Sequence, residues 1–249
     1  MCKRKAFLLV ASILFILIEA TLGYLIQTAE GLVAHCYSAV VIACYFFLLF
    51  AEKSPTFWLT QIGLFYTVCA DWFLVVLVPM RQLTAMLFFS VTQLAYAVRL
   101  YLDSSSRRRR MLQIWVRAAL SVFAIVLTAS VLQGSTDPLA LVSLFCYATL
   151  IGNVIFAFAQ GKRNLLFAIG LLFFLCCDTL IGLSCLGQYF PIAEDSMLYT
   201  VINPGFNLAW AFYVPSQALI ALSLLPKKLK VQKNEPNVQI QEPNCHSIL

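Results

Sequence analysis

The sequence predicts an all-α fold, a polytopic membrane helical bundle of about eight transmembrane helices. Three observations carry this reading. The chain is 61% hydrophobic and only 11% charged, whereas soluble domains carry about 25% charged residues. Its apolar residues fall into eight runs of roughly the 20 residues that a helix needs to cross the hydrocarbon core. Its basic residues gather in the short segments between alternate runs, as the positive-inside rule requires.

The runs are about 6–26, 34–51, 58–79, 83–102, 112–133, 138–159, 164–185 and 203–225. The first follows Lys3-Arg4-Lys5, a start shared by signal peptides and membrane anchors. Its length, its Glu19 and the lack of a small-x-small cleavage pattern favour an uncleaved helix. The second is separated from the third by Lys53-Ser54-Pro55, and the third contains Asp71. The fourth holds Gln93 and Tyr96, and the fifth follows the run Arg107 to Arg110. Gly134-Ser135-Thr136-Asp137-Pro138 divides the fifth from the sixth, and Gly161-Lys162-Arg163-Asn164 divides the sixth from the seventh, which contains Asp178. Asn203-Pro204-Gly205 opens the eighth, which carries Pro215. Residues 1–225 thus read as one transmembrane domain. Residues 226–249 are polar, hold Pro236 and Pro243, and are expected to form a disordered cytoplasmic tail.

Orientation follows from Lys and Arg. With the N-terminus inside, 14 of the 17 basic residues lie in inner segments and one, Arg81, lies outside. Arg99 and Arg117 fall near inner helix ends, where they are expected to snorkel. Arg107 to Arg110 reads as a topology anchor in a cytoplasmic loop, with anionic-lipid binding as the alternative. The expected location is the cell membrane, with both termini cytoplasmic.

Several function classes are disfavoured. The net charge of +6 comes from topology clusters rather than from a basic groove with interleaved aromatics, so no nucleic-acid partner is expected. Nine cysteines, most of them inside apolar runs, do not make a disulfide framework. Two histidines with no Cys/His spacing give no zinc site, and neither a metal nor a cofactor is expected. There is no Walker loop, dinucleotide fingerprint, Gly-x-Ser-x-Gly elbow or His-Glu-x-x-His.

Chemistry is left to the intramembrane polar residues. A carboxylate in a bilayer costs several kcal/mol unless paired, protonated or hydrated. Glu19, Asp71 and Asp178 each lie 13 or 14 residues into an outward-running helix, roughly 20 Å from its inner end at 1.5 Å per residue. Equal depth points to one shared polar cavity. Gln93 and Tyr96 share a helix face, as do Tyr213 and Gln217. Asn153 and Asn207 fall at compatible depths. For Gln93, Asn153 and Asn207, interhelical hydrogen bonding is as good an explanation as function. A short echo, Cys69-Ala70-Asp71 against Cys176-Cys177-Asp178, four helices apart, hints at two parallel halves of four helices.

At these residues the chain resembles the YhhN (lysoplasmalogenase, transmembrane protein 86-like) family over nearly its whole length. The family's third helix carries a Gly-Asp-like pair before apolar residues, and Ala70-Asp71-Trp72-Phe73-Leu74 stands there. Its fourth carries His and, three residues on, Tyr; here Gln93 and Tyr96 take those places. Cys177-Asp178-Thr179 matches its seventh helix, and Tyr213 with Gln217 its last. The resemblance implies eight helices and cleavage of the vinyl-ether bond of a lysoplasmalogen to a fatty aldehyde and a glycerophospho-base. Asp71 and Asp178 would then be the catalytic acid and base, with Glu19, Gln93, Tyr96, Asn153, Tyr213 and Gln217 lining the site. Partners would be a lysolipid and the membrane lipids. Gln93 is a departure, because glutamine does not shuttle a proton at neutral pH. On the residues alone, a small proton- or cation-coupled transporter and a non-catalytic lipid-binding protein remain open beside the hydrolase.

Overall fold

The structure, a computed structural model, describes residues 2–29, 32–131, 137–185, 193, 195–202 and 206–225. Among these, all regular structure is helical. The helices are α1 (Cys2–Thr28), α2 (Val33–Phe47), α3 (Pro55–Asp71), α4 (Gln82–Asp103), α5 (Arg107–Val131), α6 (Pro138–Ala159), α7 (Leu165–Cys185), α8 (Met197–Ile202) and α9 (Leu208–Leu222). A 3-10 turn, Leu48–Phe50, extends α2, a π-helical turn, Trp72–Val76, extends α3, and a 3-10 turn, Gly161–Asn164, precedes α7. The expected tail, 226–249, and the turn residues 132–136 and 203–205 lie outside the described residues.

Six helices are long and apolar enough to cross a membrane: Ala6–Thr28, Pro55–Val76, Gln82–Asp103, Arg107–Ser130, Pro138–Ala159 and Gly161–Cys185. The two other expected spans appear as shorter apolar helices, His35–Phe50 and Leu208–Leu222.

Local chemistry sets the ends. Ser54 caps α3, its hydroxyl accepting from the Phe57 N–H at 3.2 Å, with Pro55 at the first helical position. Asp137 caps α6 in the same way through the Leu139 N–H at 2.9 Å, ahead of Pro138. The expected start of the fifth span at 112 is corrected. Arg107 to Arg110 are helical and form the first turn of α5, with Arg110 Nε donating to the Ser104 carbonyl at 2.9 Å. Arginine is a good helix former, so the helix can begin before the apolar run does.

The polarity of the bundle is that of a membrane protein. Its outer surface shows large apolar side chains such as Leu14, Leu17, Phe65, Trp115 and Phe123, while its interior holds Thr67, Asp71, Gln93, Arg99, Asn153 and Gln217. Lipid can solvate the first set, whereas polar groups must find partners inside. Helices α3 and α4 pack closely, as do α7 and α9, while α1 lies at the edge against α2 and α9.

Two glycines set the closest helix pairs. A Cβ on Gly63 of α3 would stand 2.3 Å from the Tyr96 ring of α4, and one on Gly170 of α7 would stand 3.0 Å from the Ser216 carbonyl and Ile220 nitrogen of α9. Each glycine precedes an aspartate by the same interval. The echo between α3 and α7 is therefore longer than Cys-x-Asp: Ile62-Gly63-Leu64 precedes Asp71 as Ile169-Gly170-Leu171 precedes Asp178.

Candidate functional site

Asp71 is the last α-helical residue of α3, and the π turn follows at once. Such turns re-aim side chains and are frequent at functional sites. The Asp71 side chain is fully buried. Tyr213 of α9 donates its hydroxyl hydrogen to Asp71 Oδ2 at 2.5 Å, and Asp71 Oδ1 has no partner among the described residues. Pro215, inside α9, removes the N–H that would bond the Ala211 carbonyl and so loosens the helix beside Tyr213. The Tyr213 ring stacks on Tyr37 of α2 with centroids 4.3 Å apart, and Trp210 packs edge-on against both.

Asp178 comes from the matching position of α7. It lies within electrostatic range of Asp71 and Tyr37, and it is half-buried where Asp71 is closed off. Its neighbour Thr179 shares a 2.8 Å hydrogen bond with the Tyr147 hydroxyl of α6. The two aspartates thus come from α3 and α7 into electrostatic range of one another, with Tyr37 of α2 and Tyr213 of α9 beside Asp71. In a water-poor interior, charge on one carboxylate is felt by the other over a longer range than in water. The arrangement can hold and move a proton.

A second polar group sits between α4, α5 and α6. Asn153 and Gln93 are fully buried. Asn153 Nδ2 donates to Gln93 Oε1 at 3.0 Å and to the Gln93 carbonyl at 2.9 Å, and Asn153 Oδ1 accepts from Arg117 Nη1 at 2.7 Å. Gln93 Nε2 is buried without a partner among the described residues. The Tyr96 hydroxyl, on the turn that faces Gly63, likewise has none within hydrogen-bond distance among them, and its ring meets Phe167 edge-on. Gln217 donates to Ser216 Oγ at 3.3 Å and leaves Oε1 unpartnered.

Glu19 stands apart. It is 3% exposed on α1 and takes a 3.5 Å hydrogen bond from Cys44 Sγ of α2. Equal depth placed it with the aspartates, but depth does not fix the helix face, and its face is turned to Cys44. Asn207 contributes its backbone: Gln27 Nε2 donates to its carbonyl at 2.8 Å, and its N–H donates to Gln27 Oε1 at 3.0 Å.

The snorkelling expected of two arginines is corrected. Arg99 is 2% exposed, donates to Thr60 Oγ1 at 2.9 Å and to Ser223 Oγ at 3.0 Å, and lies 3.7 Å over the Phe167 ring. Arg117 turns to Asn153 and flanks Phe156 at 5.2 Å. Both find acceptors or rings inside the bundle, which neutral hydroxyls and amides supply and lipid does not. Tyr37 and Trp210 were not legible as site residues, because aromatics near helix ends also serve as interfacial anchors.

A bundle of long apolar helices whose interior holds Asp71, with Asp178 at the matching position of a similar helix, is that of an integral membrane protein. The profile of the YhhN family matches residues 30–224. The chain belongs to the YhhN family. Asp71, Asp178 and the Gln93 group fall within the match, and Glu19 falls before it. No curated protein and no solved structure matches the chain.

Proposed function

We propose that this protein is an integral membrane hydrolase that cleaves the vinyl-ether bond of a lysoplasmalogen, giving a fatty aldehyde and a glycerophospho-base. The observation that carries the reading is a buried Asp71 bonded to the Tyr213 hydroxyl, with Asp178 within electrostatic range of it. Two carboxyl groups of unlike environment suit an acid and its ionised partner, as in glycosidases, whose transition state is also oxocarbenium-like. One of the two carboxyls, in its protonated form, gives its proton to the vinyl-ether β-carbon. The positive charge then rests on the oxocarbenium carbon. The other, ionised, faces that charge and orients the water that adds to it. The water's proton passes to a carboxylate, and the hemiacetal collapses to aldehyde and a free glycerol hydroxyl.

Membership of the family, the buried acids and the lipid-facing exterior support this reading. The substrate would enter sideways from lipid, in the cell membrane, with both termini on the cytoplasmic side. Replacing either aspartate with Asn should abolish aldehyde release while the protein still inserts. Full activity in both variants would remove the reading. A second reading, proton- or cation-coupled transport, is favoured by one feature, the interrupted helices at the π turn and Pro215. Proton-driven uptake into liposomes without aldehyde release would select it.

A further inference from the structure

Arg117 is a cation within an apolar helix long enough to cross a membrane. Its Nη1 is spent on a neutral amide oxygen, and its Nη2 is buried with no partner among the described residues. A buried cationic donor left unspent in such a helix marks a site unless a counter-charge explains it. Three hydrogen bonds fix the polarity of everything attached to it. A guanidinium has only donors. Asn153 must therefore turn its oxygen to Arg117 and its NH2 towards Gln93. Gln93 must in turn offer its oxygen to Asn153, and this leaves its NH2 as the free end. The amide orientations, often ambiguous, are here set by the arginine.

The outcome is two buried, unspent donors, Gln93 Nε2 and Arg117 Nη2, joined by one amide and carrying one positive charge. The chemistry that satisfies both is an acceptor-only anionic oxygen group. We propose that Arg117 and Gln93 form a subsite for the phosphate group of the protein's lipid ligand, with Asn153 as the residue that locks Gln93 in its donating orientation. The subsite gives Gln93 a role that needs no proton transfer. It rests on the lipid-ligand part of the function proposed above but not on bond cleavage.

The test is binding to the full-length protein in detergent, read as the shift of its unfolding temperature with probe concentration. The probes are a 1-O-alkyl-lysophosphatidylcholine, which is saturated and cannot be cleaved as a vinyl ether, the matching 1-O-alkylglycerol, which lacks phosphate, and inorganic phosphate alone. The proposal expects the phospholipid to bind the native protein about tenfold or more tightly than the alkylglycerol. It also expects inorganic phosphate to give no comparable shift. Arg117→Gln and Asn153→Asp should each remove that preference. In Asn153→Asp the new carboxylate accepts from Arg117 and turns the Gln93 oxygen outward. Arg117→Lys, still donor-only, should recover most of the loss. Asp71→Asn should bind like the native protein while failing to release aldehyde from the vinyl-ether substrate, so a failed hydrolase assignment leaves this reading standing. Equal affinity of the native protein for the two lipid probes overturns the proposal without any variant. So does a shift by inorganic phosphate alone, or undiminished preference in well-folded Asn153→Asp.

Discussion

At the scale of single residues, Asp71 keeps one oxygen on the Tyr213 hydroxyl at 2.5 Å, and the other has no partner within hydrogen-bond distance among the described residues. A buried polar atom left unpaired costs about 1–3 kcal/mol, so the interior carries a strain that a bound reactant can relieve. Tyr213→Phe removes the donor and keeps the ring that stacks on Tyr37. It should lower kcat about tenfold, the kinetic worth of one such hydrogen bond, with little change in unfolding temperature. An unchanged kcat would show that Tyr213 acts through packing alone. The aspartates were legible in the sequence because their burial is costly and their depth can be counted from the helix starts. Tyr37, Trp210, Arg99 and Arg117 were not, because an aromatic or a long cation near a helix end has an ordinary use there. Only side-chain direction separates the two uses, and the residue's place along the chain does not carry it.

At the scale of elements, the tight helix pairs depend on glycines that admit a neighbour. The Tyr96 ring occupies the space of a Gly63 side chain. Gly63→Ala must displace a fully buried ring and should destabilise the protein by about 1–3 kcal/mol. Adding Tyr96→Leu should recover part of the loss, since the two sites are in direct contact. Equal unfolding temperatures for Gly63→Ala and the native protein would contradict the packing described. Gly170→Ala should act likewise between α7 and α9. Helix α6 begins at 138, as read from the sequence, because Asp137-Pro138 is a cap with a mechanism. Helix α5 begins earlier because apolar content marks the membrane, not the helix. The six residues of α8 are too few for any periodicity to show. The Ile-Gly-Leu repeat was readable, yet its meaning lies in the close approaches it permits.

For the whole molecule, the charge distribution is the ground for the proposed orientation, and the two acids are the ground for the proposed function. If both ends are cytoplasmic, a cysteine at Lys53→Cys should react with a membrane-impermeant thiol reagent from the inner face only, and one at Arg81→Cys from the outer face only. The reverse pattern would invert the topology and place Asp71 nearer the inner surface. Asp71 and Asp178 are proposed to act together on a vinyl ether. The direct test incubates the purified protein in detergent with a lysoplasmalogen and measures fatty aldehyde, with Asp71→Asn and Asp178→Asn alongside. Aldehyde from the native protein, with none above background from either variant, is the expected result. Well-folded native protein that releases no aldehyde, or variants that release it at the native rate, would contradict it.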